Sequence, residues 1–260
     1  MSAALSLSHV SKIYDTKTGP LTALDDLHFD IADGEFLSVL GPSGCGKSTL
    51  LTLASGLEMP TEGEIYRAGQ PIRSAVTDIG IVFQTDALLE WRRVMENIML
   101  QPQIRGLDIA THEKRAHELL DMVGLADFSR KYPHELSGGM RQRVSICRAL
   151  VHDPSLILMD EPFGALDALT REQMVMELHQ IWLKTRKSIM FVTHDIQEAI
   201  LLAQRVLVMT PRPGRVAEMI EVDLPYPRTP QTTETPRFIE LVAHVRNLFE
   251  QYGVLKKYVP

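Results

Sequence analysis

The chain has 260 residues, 33 of them acidic and 27 basic, for a net charge of −6; 45% are hydrophobic and 23% charged. This length and balance belong to a folded globular chain of one or two domains, not to a disordered one or to a basic protein that coats nucleic acid. Two cysteines cannot build a disulfide framework and fit a reducing compartment; Met1 to Val10 lacks the pattern of a secretory signal, and no run of ~18 uncharged apolar residues offers a bilayer span.

The first elements are strand-like. Leu27, Phe29 and Ile31 alternate with polar neighbours, as on a half-buried strand. Asp33-Gly34 marks a turn, and Phe36 to Leu40 is a short apolar run of buried-strand type. A glycine-rich stretch, Gly41 to Gly46, leads into a helix over Lys47 to Gly56; Gly63 to Arg67 and Ile79 to Phe83 are further strands. From about Asp86 to Val151 the chain reads as helical, with one helix over Thr111 to Val123. In another, Gly139 to Val151, the residues Met140, Val144, Cys147 and Val151 form one apolar face. The α/β rhythm then resumes: strand Leu156 to Met159, helix Thr170 to Lys187, strand Ser188 to Thr193, helix Ile196 to Ala203 and strand Val206 to Met209. This alternation predicts a mainly parallel, helix-covered sheet interrupted by a helical insertion. Past Met209 the chain is rich in proline (Pro211, Pro213, Pro225, Pro227, Pro230, Pro236) and reads as a tail crossing the surface, after a strand Val216 to Val222. It ends in an amphipathic helix, with Phe238, Leu241, Val242, Val245, Leu248, Phe249 and Tyr252 on the side expected to pack on its own domain.

Three motifs carry chemistry. Gly41, Pro42, Ser43, Gly44, Cys45, Gly46, Lys47, Ser48 and Thr49 fit the phosphate-binding pattern G-x-x-x-x-G-K-S/T. Glycines let the backbone wrap a phosphate, Lys47 reaches the β- and γ-phosphates, Ser48 offers a hydroxyl to Mg²⁺, and the following helix start favours an anion. Leu156 to Glu161 is an apolar strand ending in two acids: Asp160 suits Mg²⁺, held through water, and Glu161 can polarise an attacking water. Leu136 to Met140 places Ser137, Gly138 and Gly139 at a helix start, a second anion site or simply an N-cap. His112, His117 and His179 form no metal-ligand grouping with cysteine and read as surface residues. Cys45 either faces the loop's N–H groups and reacts readily or points into the sheet. A maleimide is expected to label it before Cys147, which falls on a buried helix face.

As a set, residues 4 to about 210 resemble the ATP-binding subunit of an ATP-binding cassette (ABC) transporter. The resemblance implies an α/β fold: a P-loop NTPase (RecA-like) core with a mainly parallel sheet, an N-terminal antiparallel β part and an inserted helical subdomain. The core would span 1–85 and 152–222, the helical subdomain 86–151, and the tail 223–260. It also implies roles: Tyr14 stacks on adenine, Gln84 contacts Mg²⁺ and the attacking water, and Ser137, Gly138 and Gly139 form the signature motif. Mg²⁺ would be held by Ser48, Gln84 and Asp160. Glu161 is the catalytic glutamate, Gly164 to Asp167 match the D-loop, and His194 senses the γ-phosphate. Met140 stands where glutamine usually does and Gly164 where serine is common; neither removes the groups that would contact phosphate.

Met209 to Val216, with its R-P-G-R, and Phe83-Gln84 through Trp91, Val94, Asn97 and Arg105-Gly106 resemble the nitrate/sulfonate/taurine-type importer ATPases. The tail is too short for the regulatory domain of sugar or polyamine importer ATPases. The resemblance implies a homodimer, paired head to tail, on the cytoplasmic face of the inner membrane. There it would bind integral-membrane permease subunits and, indirectly, a periplasmic or lipid-anchored solute-binding protein, with no nucleic acid partner. A non-transport ABC ATPase of the translation or DNA-repair type is the competing reading, but the chain has a single cassette and no heptad block. A nucleotide-binding module without turnover would not need both Glu161 and His194.

Overall fold

The computed structural model describes residues 3–255; Met1, Ser2 and the last five residues of the tail lie outside the described residues. The chain forms two compact units, one of residues up to 77 together with those from 186 onward, the other of residues 78–185.

The first unit opens with two long strands, β1 (Ala3–Thr16) and β2 (Gly19–Ala32), followed by β3 (Phe36–Leu40), α1 (Lys47–Ala54), β4 (Glu62–Arg67) and β5 (Gln70–Pro71). The second contains β6 (Gly80–Val82), α2 (Val94–Ile98), α3 (Leu100–Ile104), α4 (Ile109–Met122), α5 (Gly138–Leu150), β7 (Leu156–Asp160) and α6 (Ala168–Thr185). The first is then completed by β8 (Ser188–Thr193), α7 (Ile196–Leu202), β9 (Arg205–Met209), β10 (Val216–Glu221) and α8 (Pro236–Gln251).

In the first unit an antiparallel sheet runs β2-β1-β4-β5. Alternation along its strands buries Leu5, Leu7, Leu27, Phe29 and Ile31 on one face. β3 lies between β8 and β9, parallel to both, and β10 adds antiparallel to β9. Every residue of β3 and β8 is buried, which is why both read as unbroken apolar runs. A fully buried leucine or phenylalanine contributes roughly 1.5–3 kcal/mol, so these strands form a stiff platform for the loops that leave their ends.

In the second unit β6 runs parallel to β7 and packs closely on α5: a Cβ on Gly80 would come within 2.5 Å of the Ala149 carbonyl oxygen. Val144, Ile146, Cys147 and Leu150 of α5 are buried.

The tail is more than a surface crossing. Arg228 is 1% exposed, and its guanidinium donates to the carbonyls of Ile200 at 2.8 Å, Ala203 at 2.7 Å and Val222 at 3.2 Å. It therefore satisfies carbonyls left over at the end of α7, where a cation is also favoured by the helix dipole. α8 packs on α7 and buries Phe238, Leu241, Val245, Leu248 and Phe249; Val242 is half-buried and Tyr252 is exposed, so the buried stripe is narrower than the periodicity suggests. Among the described residues no helix is long and apolar enough to cross a membrane.

Candidate functional site

β3 ends at Leu40 and α1 begins at Lys47, leaving six residues to turn the chain. Gly44 (φ 76°) and Gly46 (φ 106°) take the left-handed conformation that glycine adopts without strain. A Cβ on Gly46 would also stand 2.5 Å from Leu24 Cδ2 and 3.0 Å from the Ala23 carbonyl oxygen. Gly46 stands at the cap position of α1 and, having no side chain, does not itself compete with an anion for that helix start. The Lys47 ammonium bonds back to the carbonyls of Gly41 at 2.8 Å and Pro42 at 3.2 Å, curling the loop round its own lysine. Ser43, Gly44 and Ser48 are exposed.

Cys45 is 1% exposed, and its sulfur fills the space that a Cβ on Gly41 would need, 2.7 Å away. The cysteine points inward, and the expected rapid maleimide labelling does not follow from this geometry. Cys147 is fully buried, and burial pushes its thiol up to about 12.

His194 follows β8, and Thr193 pairs with Leu40 of β3, so His194 and the glycine loop leave neighbouring parallel strands at the same end. His194 is exposed; Asp195 beside it caps α7, accepting from the N–H groups of Gln197 and Glu198. Tyr14 is half-buried and donates to Glu58 at 2.8 Å, while the Lys12 ammonium sits 5.0 Å from its ring centre. Burial raises the Tyr14 phenol above its ordinary value; a hydrogen bond with Thr49 opposes this, and Glu58 adds to it. Tyr14 is thus tied to the first turn of α1.

The second unit repeats the arrangement. Val82 of β6 pairs with Met159 of β7, so the segment carrying Gln84 and the pair Asp160-Glu161 leave adjacent parallel strands at their carboxyl ends, where open α/β sheets bind ligands. Glu161 has φ 43°, a conformation rare for a residue with a side chain, of the kind that gathers at functional sites. A Cβ on Gly164 would lie 3.6 Å from Gln84 Nε2 and 3.4 Å from the Glu161 carbonyl oxygen, so Gln84, Glu161 and Gly164 come together.

Ser137 is the N-cap of α5, its hydroxyl accepting from the Met140 N–H at 3.3 Å. That leaves the hydroxyl's own hydrogen to donate. Ser137 and Gly138 are exposed; Gly139 is buried because a Cβ there would press within 2.7 Å of Thr170 Cγ2.

Several supporting residues escaped sequence reasoning. Arg141 pairs with the Asp86 carboxylate at 2.8 Å, and Arg148 donates to the carbonyls of Ala87 at 2.6 Å and Asp86 at 2.8 Å. Together they clamp the segment after Gln84 to the helix that begins at Ser137. The available signal was Arg148 itself, a charge four residues beyond Val144 on an apolar stripe. Lys12 and Glu58, which hold Tyr14, carried no local signal. Of the histidines, His117 is exposed and His112 half-buried, but His179 is 1% exposed beside Trp182, not a surface residue. Among the described residues no group of three or more His, Cys, Asp or Glu could hold a metal.

Residues 24–164 match the ABC transporter family. An uncharacterized ABC transporter ATP-binding protein of Methanocaldococcus jannaschii is 41% identical over 96% of this chain and 92% of its own length. The taurine import ATP-binding protein TauB of Rhizobium johnstonii is 45% identical over 93% of this chain and 95% of its own, and that of Roseobacter denitrificans 47% identical over 85% and 82%. Among solved structures, the dimer of a bacterial ABC transporter cassette superimposes with a TM-score of 0.74 at 34% identity, covering 85% of this chain and 99% of that one. A post-hydrolysis form of that cassette, bound to ADP and Pi, gives 0.74 at 33%. A glycine loop curled round Lys47, a strand ending in Asp160-Glu161 and these similarities converge: the chain belongs to the ABC transporter family, as an ATP-binding subunit that hydrolyses ATP.

Proposed function

We propose that the chain energises a bacterial importer of the nitrate, sulfonate and taurine type, with taurine or a related small sulfonate as the leading solute. The similarity to taurine import ATPases over most of both chains supports this solute class. Two copies pair head to tail on the cytoplasmic face of the inner membrane, against permease subunits that receive solute from a binding protein. The observation that carries the reading is the pair of unlike helix starts: the glycine-capped start of α1 with Lys47, and the exposed Ser137-Gly138 at the start of α5. Each ATP then lies between Lys47 of one copy and the Ser137, Gly138 and Gly139 segment of the other, with its adenine against Tyr14.

The donor set of Ser48 hydroxyl, Gln84 amide oxygen and Asp160 carboxylate is made of hard oxygens and fits Mg²⁺; these residues would hold it. When bound, the ion neutralises phosphate charge. Lys47 binds the phosphates, Glu161 accepts the proton of the attacking water or orients it, and His194 bonds the γ-phosphate. Little covalent work falls to the protein; positioning and charge stabilisation carry the rate. ATP binding favours the closed pair, and its loss reopens it.

The test is reconstitution of the chain with a taurine-type permease and its binding protein. Taurine-loaded binding protein should stimulate ATP hydrolysis and taurine uptake together. Stimulation by nitrate and none by taurine would reject the solute; normal hydrolysis with no permease bound would reject the importer.

A further inference from the structure

The segment Thr210-Pro-Arg-Pro-Gly-Arg215 follows β9, whose Val208 pairs with Leu40 just ahead of the phosphate loop. It is a closed turn. The Thr210 N–H donates to the Arg215 carbonyl at 3.0 Å, the Arg215 N–H returns to the Thr210 hydroxyl at 3.0 Å, and that hydroxyl donates to the Pro213 carbonyl at 3.1 Å. It is also anchored on β2: the Gly214 N–H donates to the Ala23 carbonyl and the Asp25 N–H to the Gly214 carbonyl, both at 3.0 Å, and Arg215 pairs with Asp25.

From that anchor the turn touches two successive peptides of the phosphate loop. The Arg212 guanidinium donates to the Gly44 carbonyl at 3.2 Å. Gly214 lies so close to the Cys45 carbonyl that a Cβ on it would collide with that oxygen, and would stand 3.2 Å from Leu24 Cδ2. The same leucine methyl blocks a Cβ on Gly46. A trans peptide directs its C=O and N–H to opposite sides. With the Gly44 carbonyl turned to Arg212, the Cys45 N–H faces the other way and closes the loop on the Pro42 carbonyl at 3.3 Å. With the Cys45 carbonyl turned to Gly214, the Gly46 N–H is directed away from the turn.

We infer that the 210–215 turn is a brace that sets two peptide planes of the phosphate loop, with Arg212 as a positioning residue for ATP binding. The inference rests on the phosphate loop being the nucleotide site. It concerns affinity for the nucleotide, not the hydrolytic step, because the turn touches the loop's outward carbonyls and not Glu161.

The experiment measures KM for MgATP, kcat and the equilibrium affinity for ATP in the full chain, for Arg212→Ala, Arg212→Lys, Gly214→Ala and Lys47→Ala. A hydrogen bond from a charged donor predicts that Arg212→Ala raises KM roughly 3–10-fold, with kcat within about two-fold of the parent. Arg212→Lys, which keeps one charged donor, should recover most of this. Gly214→Ala should shift KM further, in the same direction. Arg212 is exposed, so its variants read the brace even if Gly214→Ala does not fold. An unchanged KM in Arg212→Ala, or a fall in kcat at constant KM, overturns the brace. Undiminished ATP affinity in Lys47→Ala would overturn the nucleotide site itself, and the brace with it; loss of affinity in Lys47→Ala with no effect at Arg212 would overturn the brace alone.

Discussion

Two helices of this protein begin at glycine and hydroxyl residues, and they are built for different degrees of independence. At α1 a left-handed Gly46 stands at the cap position, where a residue without a side chain cannot cap the helix itself, and Lys47 adds a cation wrapped by the loop's carbonyls. At α5 the cap position is held by Ser137 in extended backbone, with its hydroxyl already accepting from Met140. The first has loop, cation and helix dipole together and can hold a phosphate by itself. The second offers one hydroxyl hydrogen and a partly satisfied helix end, a weak anion site on its own. It becomes useful when a phosphate is already held by something else, which is the physical case for a partner chain delivering it.

The largest expected effect removes chemistry while leaving both helix starts intact. Glu161→Gln should lower turnover by ~10²–10⁴-fold, the usual contribution of a general base, while ATP is still bound. Gel filtration with MgATP should then show a dimer that the parent does not accumulate. A monomer with parental phosphate release would remove Glu161 from its role.

Next come the two helix starts themselves. Lys47→Ala should weaken ATP binding at least ~10-fold, since it deletes a charge-assisted contact. Ser137→Arg should leave ATP binding to the single chain nearly unchanged and suppress hydrolysis. Mixing the two variants should restore activity, because a mixed pair contains one site with both intact elements. Loss of ATP affinity in isolated Ser137→Arg would mean that both helix starts serve one chain's site and that α5 does not depend on a partner.

A smaller effect concerns the support of α5. Arg148→Met removes the donor to the Asp86 and Ala87 carbonyls and should cost about 1–2 kcal/mol, the usual consequence of losing hydrogen bonds from a charged donor at part-buried acceptors. The check is the urea midpoint, and an unchanged midpoint would show that the clamp is idle. The same substitution should loosen the segment after Gln84, measured as faster amide exchange at Leu88 and Leu89.

The smallest effect is kinetic. Both thiols are buried, so maleimide should label the folded chain slowly at Cys45 and at Cys147. Burial places Cys147 at about 12, so raising the pH from 7 to 9 leaves that thiol protonated and its labelling slow. Rapid modification of Cys45 protected by MgATP would show that the loop opens in solution.

Much of this was legible in residue order because it is local. The glycines that permit left-handed turns, the lysine and hydroxyl that follow, the apolar run before two acids, and the strand and helix periods are all set by neighbours in the chain. Boundaries of β8 and α5 fell within a residue of the expected ones for that reason. The first strand was less readable: β1 runs Ala3–Thr16 with register shifts against β2 at several points, and such shifts break the period-two pattern. The two short helices between Val94 and Ile104 have too few turns to show a period.

Chemistry and fold class were therefore written in the sequence by itself: a phosphate loop, a strand ending in Asp160 and Glu161, a capped helix at Ser137, and alternating strands and helices. Tertiary structure alone decided which side chains support them. Tyr14 is held by Lys12 two positions before it and by Glu58 forty-four positions away; Arg228 in the tail fastens the end of α7; Cys45 turns inward because Gly41 leaves room for its sulfur. The physical reason is the same in each case. A lone charged or polar side chain has no fixed role until folding removes water from it, and then it must bond to whatever donor or acceptor the fold brings within about 3 Å.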